Sequence, residues 1–384
     1  MPAGNFIWYL HEKTGMKRIL HLSRGGCVGG SHRQLYYVVA NLDHGLEPVV
    51  VCNKNGQFVD QLRQSGITTS VIPLHPWRKF PAGLLRYIDA ERLVRFARRH
   101  NIALVHSSDL WLSNYMDWVS ASLKIPSVLH VRTPLTSDSI HKHHCNKATA
   151  IIAISRRIKQ NLIDAGISPE KIIQIDDAVD TDAFRPKPEQ VNVLKQQFPV
   201  DGRILVGIVG RIDPFKHQLD FLNAAEQIVR NSTKNVAFFL IGEAHSEGYF
   251  RKTREFTAKH QLDKYVFFTG RRDDMPQVLS SLDILVSLSG GSVMFEAMAC
   301  GRPVISAGFS TKENSVHIQD GITGLLISSE QTSDLVEALM RLINSAELRN
   351  KIGRNARSWA ESRLSHTDMV AKTHQLYQRL LDNS

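Results

Sequence analysis

Two tandem α/β units, each a parallel sheet flanked by helices, are the fold this sequence predicts. Three features carry the prediction. Short apolar runs alternate with helix-length segments from about residue 16; the same alternation restarts at Ile204; and 384 residues with 42% hydrophobic content suffice for two cores of ordinary domain size.

The first half supplies strand-like runs at Ile19 to Leu22, Pro48 to Cys52, Thr69 to Ile72, Ala103 to His106, Ser127 to Val131 and Ala150 to Ile154. Helical segments separate them, the pattern of a doubly wound parallel sheet. The second half supplies Ile204 to Val209, Val236 to Ile241, Val266 to Thr269, Ile284 to Ser287, Pro303 to Ser306 and Gly324 to Ile327. Apolar runs of this kind suit strands covered on both faces. Between the halves, RPKPEQ (Arg185 to Gln190) is polar and proline-rich and reads as a hinge. The expected division is an appendage over 1–15, a first Rossmann-like domain over 16–185, a second over 186–365 and a closing segment over 366–384. The charged helical stretch Leu348 to Leu381 is longer than closing the second sheet requires.

No apolar stretch approaches the roughly 18 residues of a membrane span, and MPAGNFIWYLHEKTG lacks the charged start and apolar centre of a secretory leader, so a cytoplasmic protein is expected. The cysteines Cys27, Cys52, Cys145 and Cys300 occur singly with no C-x-x-C pair, which argues against a disulfide framework or a zinc ribbon. HKHHC does place His141, His144 and Cys145 at i, i+3 and i+4, a three-ligand face if the segment is helical. No second cluster completes it, and no metal is expected.

The formal charge of +10 is uneven: residues 1–185 hold 23 Lys and Arg against 15 Asp and Glu, the remainder 24 against 22. LLRYIDAERLVRFARRH (Leu84 to His100) concentrates it, interleaving Leu85, Ile88, Leu93 and Phe96 with Arg86, Arg92, Arg95, Arg98 and Arg99, with Trp77, Arg78, Lys79 and Phe80 just upstream. Such a basic amphipathic helix suits either a solvated arginine face over its own sheet or peripheral contact with the inner face of a membrane. No nucleic-acid-reading motif accompanies the charge, so nucleic acid is not an expected partner.

Two segments hold the chemistry. In GRIDPFK (Gly210 to Lys216), Arg211 and Lys216 leave the carboxyl end of the strand ILVGIV, where open α/β sheets bind ligands, and two fixed cations there point to a phosphate or pyrophosphate. In the second, Glu296 follows the small-residue loop Ser289-Gly290-Gly291-Ser292 and opens the helix FEAMAC, which Gly301 and Pro303 close. Amides at such a helix start, near Gly291, Ser292 and Val293, hold anions. Gly29 and Gly30, after the first strand, give backbone amides a similar open approach to phosphate. The dinucleotide fingerprint G-x-G-x-x-G is not met there, and no G-K-[ST] occurs anywhere.

Together GRIDPFK and FEAMACGRPVI resemble the donor site of the retaining glycosyltransferases with two Rossmann-like domains (GT-B), of the group 1 and fourth-family kind, over about residues 16–384. That resemblance implies domains facing each other across a cleft, with the C-terminal helix returning to the N-terminal domain. A nucleotide diphosphate sugar, of the UDP type, would be co-substrate, with a saccharide or lipid-linked acceptor in polysaccharide or envelope glycan synthesis and no cofactor or metal. It gives Arg211 and Lys216 the departing pyrophosphate, His130 a hydrogen bond to the transferred sugar, and Glu296 the ribose hydroxyls. Gly29 and Gly30 would touch the phosphates from the other domain, and Gly270-Arg271 would frame the base. The chain departs from the family pattern at Leu288, where a second carboxylate usually stands, and at Asp177-Ala178, usually Asn-Gly. Asp180-Thr181-Asp182 has the D-x-D form but falls in the family's interdomain stretch and reads as structural. Two rival functions follow from the missing carboxylate and the shared fold: a non-catalytic nucleotide-sugar-binding partner of an assembly complex, and a nucleotide-sugar epimerase.

Overall fold

The structure is a computed structural model that describes residues 15–42, 45–77, 85–187, 192–232, 235–307, 317–327 and 332–383. The appendage before residue 15, Arg78, Lys79, Phe80 and the end of the RPKPEQ stretch lie outside the described residues. The chain forms two compact units, one running up to Ile175 and taking in Val370 onward, the other Asp176–Met369.

The first unit is a seven-stranded sheet of β1 (Lys17–Gly25), β2 (Leu46–Lys54), β3 (Thr68–Val71), β4 (Ile102–Ser107), β5 (Ser127–Val131), β6 (Ala150–Ala153) and β7 (Ile172–Gln174). Its order is β3-β2-β1-β4-β5-β6-β7, every pairing parallel, so the winding reverses between β1 and β4. Helices α1 (Gly30–Ala40), α2 (Gln57–Gln64), α3 (Arg86–Arg99), α4 (Ser113–Leu123), α5 (Ser137–Lys142) and α6 (Arg156–Asp164) connect the strands. Side-chain alternation along each strand feeds two separate cores. Leu20, Leu22, Val49 and Val51 pack with α3 and α4, while Val50 and Cys52 pack with α1 and α2.

The second unit is a six-stranded parallel sheet of β8 (Ile204–Val209), β9 (Val236–Ile241), β10 (Val266–Gly270), β11 (Ile284–Ser287), β12 (Val304–Ser306) and β13 (Leu325–Leu326). The order is β10-β9-β8-β11-β12-β13, with the reversal between β8 and β11. Around it lie α7 (Val193–Gln197), α8 (Gln218–Asn231), α9 (Glu247–Lys259), α10 (Met275–Ser281), α11 (Val293–Ala299), α12 (Thr332–Asn344) and α13 (Ala346–Arg363), followed by α14 (His366–Asp382).

Every apolar run read from the sequence is a strand. The divide between units nonetheless falls about ten residues before the proline-rich stretch. Arg357 of α13 explains this: its NH1 donates to the carbonyls of Thr181, Phe184 and Ala299 at 2.8–2.9 Å, tying the chain after Ile175 into the second unit. In the same turn Asp180 Oδ1 accepts from the amides of Asp182 and Ala183 at 3.1 and 2.9 Å, an Asx turn that gives the D-x-D aspartate a structural use. The later part of α14 belongs to the first unit, where Tyr377 is fully buried and Lys17 Nζ donates to the Leu381 carbonyl at 3.2 Å. A cation at a helix C-terminus is the sign the helix dipole favours.

Two expectations are corrected. HKHHC is not one helical face: α5 ends at Lys142, His144 turns into the left-handed region (φ 52°), and Cys145 is buried while His144 pairs with Asp117 at 2.8 Å. Among the described residues no group of three His, Cys, Asp or Glu is placed to hold a metal. In α3 the buried side is Asp89, Ala90, Leu93, Val94 and Ala97, whereas Leu85 and Ile88 are exposed.

Gly353 in α13 meets the Gly301 turn so closely that a Cβ would lie 2.2 Å from the Gly301 carbonyl oxygen. Gly353→Ala gains about 1 kcal/mol of helix propensity, but forcing backbone apart in a packed core costs about 1–3 kcal/mol. The variant is expected to unfold at lower urea concentration than the parent; an unchanged or higher midpoint would contradict this packing.

Candidate functional site

A cluster of polar groups in the second unit stands where its winding reverses, the place where parallel α/β sheets take ligands. Beyond β8 the chain makes a 3₁₀ turn, Pro214–Lys216, capped by Asp213, whose Oδ1 accepts from the Phe215 amide at 2.8 Å. That turn brings Lys216 back over the strand end. Its Nζ donates to Ser289 Oγ at 3.0 Å, linking the loop after β8 to the loop after β11. The lysine stem lies on Gly210 and its ammonium beside Gly291, where added Cβ atoms would sit 3.2 and 3.9 Å from lysine atoms. Arg211 is held by Gln218, whose Nε2 donates to the Arg211 carbonyl at 2.9 Å, and its NH1 lies 3.4 Å from His245 Nε2.

Among the described residues, neither Arg211 nor Lys216 forms an ion pair with a carboxylate. Burial, and after it the charge of Arg211, lowers the Lys216 pKa, with Asp213 opposing. Two cations held together without a counterion are stabilised by an incoming anion. Glu296 is buried in the first turn of α11, and Ser292 at its start makes no side-chain cap, so Ser292 and Val293 leave their amides at an uncapped helix end. Arg271 follows the edge strand β10 and donates to Asp273 Oδ1 at 3.2–3.3 Å.

The structure thus sets Lys216 against Gly291 with Arg211 in electrostatic reach, and adds two groups that sequence reasoning did not single out, Ser289 and His245. His245 follows β9, the neighbour of β8, so its signal was a polar residue at the carboxyl end of an adjacent strand.

The first unit has its own arrangement. The loop after β1 needs glycine at Gly25 and Gly26, with φ of 67° and 89° and added Cβ atoms 2.3 Å from the Lys54 carbonyl oxygen and 2.7 Å from Lys54 Cε. Gly29 is different. Its φ is −120° and a Cβ there would meet only His32 Nδ1 at 3.8 Å, so the fold itself does not demand glycine. Its amide donates to His32 Nδ1 at 3.3 Å, leaving the exposed Gly30 to open α1. His32 is held below its usual pKa first by burial.

His130, the last residue but one of β5, is buried, its ring 5.7 Å from His106 of β4, which lies 5.4 Å from its register partner His21 of β1. Burial is the main cause of a lowered pKa in all three, to about 3 for His21. Tyr377 holds His106 Nδ1 at 2.5 Å, and burial raises the tyrosine pKa, so its hydroxyl stays protonated. A neutral His130 is a hydrogen-bonding group and a weak proton acceptor.

Residues 28–183 match the family model described as Glycosyltransferase Family 4, and residues 191–359 that described as Glycosyl transferases group 1. The chain belongs to the GT-B glycosyltransferases. The structure of Anabaena HepE in complex with UDP and glucose is similar, with a TM-score of 0.83 at 23% identity over 94% of this chain and 99% of that one. A Rickettsia africae glycosyltransferase gives 0.83 at 19% identity, covering 96% and 100%. An uncharacterised glycosyltransferase of Methanocaldococcus jannaschii is 21% identical over 79% of this chain and 74% of its own. The D-inositol 3-phosphate glycosyltransferase of Gordonia bronchialis is 25% identical over 67% of this chain, which spans only 62% of that relative.

In this glycosyltransferase Leu288 is buried in the apolar cluster with Val206, Ile208, Val286 and Ala307, so no carboxylate stands at that position.

The buried histidines fix a pH dependence. Their folded pKa values lie below the unfolded value near 6.5, so stability is present above that pH and lost as pH falls from 6.5 towards the folded values. Each contributes about 1.4 kcal/mol per pH unit in that window. His21, with no hydrogen-bond partner at either ring nitrogen among the described residues, is the clearest test. His21→Leu should unfold at higher urea than the parent at pH 5.5 and show a shallower loss between pH 6.5 and 5; equal pH sensitivity would refute a neutral buried His21.

Proposed function

We propose that this glycosyltransferase is a retaining enzyme that moves a sugar from a UDP-type nucleotide diphosphate sugar to a saccharide or lipid-linked acceptor in polysaccharide or envelope glycan synthesis. The observation that carries the reading is the pair Arg211 and Lys216 at the winding reversal, neither of which forms an ion pair with a carboxylate among the described residues. The UDP carried by the Anabaena neighbour supports the choice of base. In the reaction the acceptor oxygen bonds to the anomeric carbon on the face from which the bond to the β-phosphate oxygen breaks. The acceptor proton passes to that phosphate oxygen, and the nucleoside diphosphate departs. Arg211 and Lys216 stabilise the charge that grows on the leaving phosphate, an electrostatic contribution of the size other enzymes draw from fixed donors. They supply the countercharge that a divalent ion otherwise would, so the reading requires no metal. Glu296 accepts from the ribose hydroxyls, amides near Gly291, Ser292 and Val293 meet the phosphate, and Arg271 frames the base.

Arg211→Ala should lower transfer by about 100-fold or more, and both Arg211→Ala and Glu296→Ala should weaken calorimetric binding of UDP. Turnover unchanged in Arg211→Ala would overturn the assignment. A non-catalytic nucleotide-sugar binder is the second reading, favoured by Leu288 in the apolar core; it predicts donor binding with no transfer to any acceptor.

The acceptor side of the proposal is a peripheral enzyme at the inner face of a membrane. No described helix is long and apolar enough to cross a membrane. On α3, Arg92, Arg95, Arg98 and Arg99 are exposed beside exposed Leu85, Tyr87 and Ile88, and Arg86 stacks over Tyr87 and Trp77 at 4.7 and 5.5 Å. Arginines beside apolar side chains suit an anionic lipid surface. At about 1 kcal/mol per arginine, replacing those four exposed arginines with Gln should cut sedimentation with phosphatidylglycerol vesicles nearly a thousandfold in affinity. Equal binding by parent and variant would remove the membrane from this proposal.

A further inference from the structure

His245 is the group the donor-site reading leaves unused, and its surroundings define a task. The segment after β9 pairs with the segment after β8: Ile212 bridges Ala244, the amides of His245 and Ser246 both donate to the Ile212 carbonyl at 3.2 and 3.3 Å, and the Ile212 amide donates to Glu243 O at 2.8 Å. This backbone frame sets the His245 ring beside Arg211, with NH1 and Nε2 3.4 Å apart. A guanidinium only donates, so Nε2 there is the acceptor and carries no proton. Facing the ring from the β8 side is Arg211, with Lys216 in the same loop; on its own segment Glu243 and Glu247 flank it in sequence, and neither forms an ion pair with it among the described residues.

We infer that His245 is a third nitrogen of the anion site and takes up a proton when a diphosphate binds. The inference rests on the reading of Arg211 and Lys216 as the phosphate-holding pair. An anion draws the guanidinium donors to itself, because charge-assisted bonds to phosphate oxygen are stronger than a bond to a neutral ring nitrogen. Nε2 is then left facing anionic oxygens with no donor, two acceptors in contact. Protonation converts it into a charged donor to the same anion. Atoms balance simply: one proton moves from solvent to Nε2, and no covalent bond changes. The ligand class is a di- or trianionic phosphate, which the nucleoside diphosphate product supplies in a more highly charged form than the sugar conjugate. The site therefore holds the product end of the reaction more tightly at lower pH.

The test is isothermal titration of the full chain with UDP, GDP and ADP at pH 6.5 to 8.5, each in two buffers of different ionisation enthalpy. The parent should show net proton uptake on binding, and an affinity that falls as pH rises, by at most tenfold per unit. His245→Gln should lose that uptake and bind about tenfold more weakly at pH 6.5, with little difference at pH 8.5. His217→Gln, in the neighbouring loop with its Nδ1 held by Asp220 at 3.0 Å, should keep both. A His245→Gln variant with the parent's affinity and pH profile, or parent binding with no proton uptake, overturns the inference while leaving the donor site intact, provided Arg211→Ala still weakens binding. Failure of all three nucleotides to bind the parent overturns both.

Discussion

Backbone meets backbone at Gly242, and the placement of Arg211 beside His245 depends on that meeting. A Cβ on Gly242 would lie 2.0 Å from the Gly210 carbonyl oxygen, and its φ of 149° is one that side-chain-bearing residues rarely adopt. The obstacle is main chain, so no rotamer change relieves it. Because the contact is allowed, the chain leaving β9 runs alongside the chain leaving β8, with Gly210 donating to the Ile241 carbonyl and Gly242 to that of Gly270 at 2.9 and 3.0 Å. The Ile212–Ala244 bridge, and with it the approach of His245 to Arg211, follows from this convergence.

Charge at the two winding reversals is managed in opposite ways. The second unit sets Arg211 and Lys216 in one loop, and the buried carboxylate of that loop, Asp213, spends an oxygen on capping its own turn. Two like charges brought near each other cost some stability, which Asp213 offsets in part. The first unit instead buries three histidines on adjacent strands, and the Tyr377 hydroxyl from α14 holds the middle one, His106. Tyr377 is therefore more than filler, since the helix that carries it lies far away in sequence from the strands it serves.

Most of the architecture was legible because parallel strands covered on both faces are continuous apolar runs, and twelve such runs all became strands. The strand that escaped notice, β7, is three residues long on a sheet edge, too short for any period to show. Arg211, Lys216 and Glu296 drew notice in the sequence because they stand after a strand or near a helix start, positions that sequence marks. Long-range placements were not. Arg357 binding three carbonyls across the sequence, Ser289 receiving Lys216, and His245 beside Arg211 depend on which strand lies next to which, and strand order is absent from local pattern. HKHHC misled for a different reason: its spacing assumed a helix that ends at Lys142.

Leu288 shows how tightly fold and chemistry are joined at this site. It directly follows β11, and its side chain is committed to the apolar layer under α8 and α12 together with Val206, Phe221 and Leu339. A glutamate placed there with the same backbone would put a carboxylate into that layer, at a cost of several kcal/mol unless it became protonated. Restoring an acidic side chain on the ligand side therefore requires the backbone of residues 288–291 to turn as well. Yet that same loop supplies Ser289 Oγ to Lys216 and the close pass of Gly291. The loop is thus committed to holding the lysine, through the Ser289 hydroxyl on one side and the bare backbone of Gly291 on the other.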